Sequence, residues 1–90
     1  MLKEVKSLKN PFEGYGNWKE AKIEFEGKTY VATFKQFEEG SEFGIRGGRI
    51  SKLTLKEGSK VLANYDRGWD EEPTTKEASA VLEELLDNEN

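Results

Sequence analysis

The chain has 90 residues and a formal net charge of -4, from 18 acidic and 14 basic side chains, and it contains neither cysteine nor histidine. Those absences exclude disulfides, thiolate metal sites, the usual zinc ligands and the usual general base near neutral pH. The acidic balance disfavours nucleic acid as a partner, and no run approaches the roughly 20 apolar residues that cross a bilayer.

A chain of this size reads as one domain over residues 1–90, with a thin core and a cytoplasmic setting. At its start Leu2, Val5 and Leu8 recur every third residue before Asn10-Pro11 ends the run, so residues 1–14 are expected to form a loosely ordered arm. Residues 18–70 carry sheet signals. Ala21, Ile23 and Phe25 alternate with Lys22, Glu24 and Glu26, and the alternation resumes at Tyr30, Ala32 and Phe34. A Gly27-Lys28 tip of the type II′ kind sets Phe25 opposite Tyr30, Ile23 opposite Ala32 and Ala21 opposite Phe34, all on one face.

Further along, Arg46-Gly47-Gly48-Arg49 reads as a two-residue hairpin loop flanked by arginines. A second hairpin follows, with Lys56-Glu57-Gly58 as its loop, Leu55 opposite Ser59 and Leu53 opposite Val61. Odd-numbered residues share its inner face, which leaves Ile50 and Leu62 on the other side. Tyr65 to Asp70 forms an exit loop in which Asp66 closes an Asx turn and Gly68 takes positive φ. Pro73 then introduces a helix over residues 74–86, with Thr74-x-x-Glu77 as a capping box and Ala78, Val81, Leu82, Leu85 and Leu86 as its apolar stripe. The expected class is α+β: a four- to five-stranded antiparallel sheet with one C-terminal helix packed on it.

The candidate interaction patch is Arg46, Arg49, Asp66, Arg67 and Trp69. Facing each other across the Gly47-Gly48 turn, Arg46 and Arg49 would have side-chain roots ~5 Å apart, which calls for an anion between them. Asp66 or Asp70 is the internal choice; a phosphate or a partner's carboxylate is the external one. Trp69 reads as a lid over the edge of the core, and Arg67 as able to stack on Trp18 or Trp69. A base-stacking platform of Tyr15, Trp18 and Trp69 is the weaker alternative. Neighbouring acids such as Glu38-Glu39 and Glu83-Glu84 read as a solvated face. Asp66, Asp70 and Glu72 are not expected to hold a metal. Ser41, Ser51 and Ser59 have no histidine to activate them, so no catalysis and no cofactor are expected.

Ser41-Glu42-Phe43-Gly44-Ile45, Gly48-Arg49-Ile50-Ser51-Lys52-Leu53 and Tyr65-Asp66-Arg67-Gly68-Trp69 together resemble small uncharacterised proteins of low-GC Gram-positive bacteria and their phages or mobile elements. The resemblance runs from about Trp18 to Pro73. It implies a small β-rich cytoplasmic domain and assigns no catalytic or binding residue. The expected function is a non-catalytic interaction or accessory module with a protein or anionic partner, working as a monomer or weak homodimer. The alternative is a nucleic-acid-binding module using Arg46, Arg49, Arg67 and nearby aromatics.

Overall fold

A computed structural model describes residues 2–7 and 17–90. Six strands form one sheet in chain order: β1 (Leu2–Ser7), β2 (Asn17–Phe25), β3 (Lys28–Gln36), β4 (Ile50–Glu57), β5 (Lys60–Asp66) and β6 (Trp69–Glu71). Every neighbouring pair is antiparallel, and helix α1 (Lys76–Glu89) follows the last strand. The α+β class and the C-terminal helix agree with expectation, whereas the strand count is six rather than four or five.

One addition is β1, an edge strand where an arm was expected; the remainder of that arm, residues 8–14, lies outside the described residues. The β1–β2 register shifts between Leu2 and Glu4, so Leu2 lies opposite Ile23 and Val5 opposite Ala21. A bulge turns the strand by one residue, which brings two apolar side chains three apart onto the same face. Spacing of three therefore marks a bulged strand here.

The first hairpin turns at Glu26-Gly27, with φ of 50° and 78°. Phe25 faces Lys28, Ile23 faces Tyr30 and Ala21 faces Ala32. This corrects the expected pairing by two residues. A type I′ turn needs positive φ at both central positions and matches the twist of the strands. A shift of two preserves the face, so the same side chains are buried. Glutamate resists positive φ and asparagine tolerates it. Glu26→Asn should therefore stabilise the protein by up to about 1 kcal/mol, read as a rise in the urea midpoint; a lower midpoint would show that the turn is not strained.

The second hairpin is also corrected. Its loop is Gly58-Ser59, with Gly58 at φ 60° and Glu57 facing Lys60. Leu55 pairs with Ala63 and Leu53 with Tyr65, and the register shifts by one residue at Leu62. That shift leaves Val61 36% exposed, not on the inner face. Between β3 and β4 the register shifts at Ser51, so Ile50 pairs with Gln36 and is fully buried beside Leu53. Ile50 thus joins the core face, contrary to the simple alternation.

Helix α1 begins one residue later than the capping-box reading and runs to Glu89. The Thr75 hydroxyl accepts from the Ala78 amide at 3.0 Å. Glu77 then falls at the second helical position, too early to return the bond. Thr75→Ala should cost about 0.5–2 kcal/mol, while Thr74→Ala should leave the urea midpoint in place; the reverse pattern would move the cap back. Ala78, Val81, Leu82, Leu85 and Leu86 cover Ile23, Tyr30, Phe34, Leu53 and Leu55, forming one continuous core with the sheet. Among the described residues, no helix is long and apolar enough to cross a membrane.

Candidate anion-binding cleft

The connection between β3 and β4, residues 37–49, is held by its own backbone. The Phe37 amide bonds the Arg49 carbonyl at 2.9 Å, Ser41 N bonds Gly48 O at 3.2 Å, and Gly44 N bonds Ser41 O at 3.1 Å. A single 3-10 turn, Ile45–Gly47, replaces the expected Gly47-Gly48 hairpin, with Arg46 at φ 54° and Gly47 at φ 71°. Burying Ile45 in the core favours this shape, because a hairpin pairing 45 with 50 would place the isoleucine on an open strand. The end of α1 clamps the same segment. Asn90 Oδ1 accepts from the Ile50 amide at 3.0 Å, and its Nδ2 donates to the Ile45 carbonyl at 2.9 Å.

The arginine pair is accordingly split from the rest of the predicted patch. Arg46 makes a two-pronged contact with Glu83 on α1, in which Nη1 lies 2.9 Å from Oε2. Hydrogen bonding to this guanidinium holds the Glu83 carboxyl below the usual carboxylate range. Arg49 Nη2 donates to the Glu89 carbonyl at 3.0 Å. The groups that meet these arginines come from the helix, a carboxylate for Arg46 and a backbone carbonyl for Arg49, which corrects the expected neutralisation by Asp66 or Asp70. Trp69 lies half-buried against the core, its ring 5.0 Å from that of Tyr65 and edge-on to it.

Asp66 and Arg67 sit elsewhere. On the sheet face turned away from α1, register places Trp18, Lys35, Lys52 and Asp66 in a row across β2, β3, β4 and β5. Lys35 and Lys52 are direct cross-strand partners, and like charges so placed repel. The β5–β6 turn adds Arg67, which adopts φ 57° where Gly68 was expected to take the positive angle. Its amide is anchored to the Ser51 carbonyl at 3.0 Å.

Together Lys35, Lys52 and Arg67 line a cleft of about 460 Å³ with Phe37, Phe43, Ser41 and Ser51. Asp66 is the nearest counter-charge, but it stands 3.9 Å from Lys52 Nζ and 4.0 Å from Arg67 Nε, outside hydrogen-bond reach. Lys35 has no carboxylate partner among the described residues; its ammonium lies 5.4 Å from the centre of the Phe37 ring. Ser51 as a whole is only 5% exposed, and among the described residues no buried side-chain oxygen or nitrogen lacks a hydrogen-bond partner, so its hydroxyl is not a buried orphan. Phe37 and Phe43 are 43% and 49% exposed, a large apolar area to leave in water. Phe43 is nevertheless fixed: its carbonyl accepts from the Tyr65 hydroxyl at 2.9 Å, and its amide donates to Ser41 Oγ at 3.3 Å.

Of the five predicted patch residues, only Arg67 lines this cleft, with Asp66 at its rim. Lys35, Phe37, Lys52 and Ser51 were missed as site residues. The alternation that puts Lys35 and Lys52 on the outer face was present in the sequence. What was missing was the register joining them across residues 37–49. Among the described residues, no group of three or more acidic side chains converges as a metal site.

An antiparallel sheet covered by a helix on one face, with a cationic cleft at one end of the other, defines a small α+β scaffold. Residues 17–90 match a domain of unknown function, DUF7678, and the chain belongs to that family. Searches of curated proteins and of solved structures gave no match.

Proposed function

We propose that the domain is a non-catalytic binding module that takes an anionic group into the cleft formed by Lys35, Lys52 and Arg67. The observation that carries this reading is the company these cations keep. Two of them are direct cross-strand neighbours, and all three line one concavity together with Ser51. An incoming anion relieves the Lys35–Lys52 repulsion. Arg67 strengthens the case, since a left-handed backbone at a non-glycine residue costs roughly 1–2 kcal/mol, and here it presents an exposed guanidinium.

The cytoplasmic accessory role, and a phage or mobile-element setting, belong to the same proposal. Their support is the resemblance carried by residues 41–45, 48–53 and 65–69. The polymeric nucleic-acid alternative is weakened, because two of its three arginines engage α1.

Titrating the protein with inorganic pyrophosphate while following backbone amide resonances tests the reading. Saturable shifts are expected at Ser51, Lys52 and Arg67, and Lys52→Ala with Arg67→Ala should abolish them while the fold persists. Pyrophosphate producing no saturable shift in the parent protein would overturn the proposal.

A further inference from the structure

Resting on that reading, we infer that the cleft's ligand is a free nucleotide, its phosphates on Lys35, Lys52 and Arg67 and its base against the exposed phenylalanine rings. The ring surface and the charge belong to a single concavity, so one ligand must supply both an anion and an apolar face. Phe43 is the stronger half of this argument. Its backbone is bonded on both sides, and the loop carrying it is clamped by Asn90, yet the residue is half exposed where it lines the cleft. An aromatic ring on a backbone so fixed, at that exposure, is prepared for stacking on a base.

Asp66 discriminates between anions. A carboxylate already sits at ion-pair distance from both Lys52 and Arg67, tethered and therefore at high local concentration. An acidic peptide offers another carboxylate of the same kind and gains little by displacing it. A phosphate carries more charge and more acceptor oxygens, and it suits the two-pronged geometry of a guanidinium. It also presents an acceptor to Ser51. The chain's net charge of -4 sets the scale of the ligand, because a long polyanion meets repulsion beyond the cleft whereas a single nucleotide remains within it.

The test compares four probes on the full chain by amide shifts: ADP, inorganic pyrophosphate, an eight-residue oligothymidylate and a phenylalanine-containing acidic peptide. ADP should bind at least tenfold tighter than pyrophosphate and move the amides of Phe43, Ser51 and Arg67. Phe43→Ala should erase that tenfold advantage, weakening ADP binding far more than pyrophosphate binding. Equal affinities for ADP and pyrophosphate would overturn the nucleotide inference and leave anion binding standing; no response to either would remove both. Tighter, strongly salt-dependent binding of the oligonucleotide would reassign the cleft to a strand, and tighter binding of the peptide would reassign it to a protein partner.

Discussion

Leu85→Ala should lower the unfolding free energy by about 2–5 kcal/mol. Leu85 is fully buried and lies in the C-terminal half of the apolar stripe of α1. Among the described residues this helix is the sole helical cover for the inner face of the sheet, so neighbours have no second layer from which to refill the cavity. A domain of this length has roughly 5–13 kcal/mol to lose, and the change should depress the melting temperature by at least about 8 °C. Glu83→Ala, two positions earlier on the exposed side of the same helix, is the control. It removes a surface ion pair and should cost no more than about 1 kcal/mol. Equal losses for the two variants would mean that α1 does not seal the core.

The second large effect concerns a residue chosen for space. Gly44 has φ -74° and ψ 156°, a conformation open to any residue, so alanine meets no backbone objection there. A methyl group at that position would nevertheless overlap the carbonyl of Gly48, which is backbone and cannot rotate aside. Forcing the two apart disturbs the Ser41–Gly48 hydrogen bond and the Phe43 backbone beside it. Gly44→Ala should cost about 1–3 kcal/mol, as overpacking does, and should also weaken the pyrophosphate response although no cation is touched. Chemical denaturation and the same titration give the two readings. An unchanged midpoint would show that the loop is free to rearrange, contrary to the clamped geometry described above.

The limits of the sequence are instructive at these same places. Alternation at Ile23, Tyr30 and Phe34 identified the buried face, because a strand's side-chain period is two and a two-residue slip changes nothing on that face. It did not distinguish a Glu26-Gly27 turn from a Gly27-Lys28 turn, since both leave the same residues inward. Bulges at Lys3, Ser51 and Leu62 were hidden for a related reason. Each inserts one residue and reverses the alternation, so Ile50 reads as outward until the Gln36 pairing is known. The helix stripe was legible because its spacing of three and four is interrupted by no such event. Least legible was the cleft. Its lysines lie on strands separated by a long connection, and their proximity depends on a long-range register that local pattern does not encode.

Asn90 binds the backbone of Ile45 and Ile50, more than a third of the chain away. The hairpins close on neighbouring strands, and the β3–β4 connection has backbone bonds of its own, but its two bonds to Asn90 need the far end of the helix. The clamp on residues 45 and 50 therefore forms only once residue 90 can reach back, and a chain shortened before it keeps the sheet without that clamp.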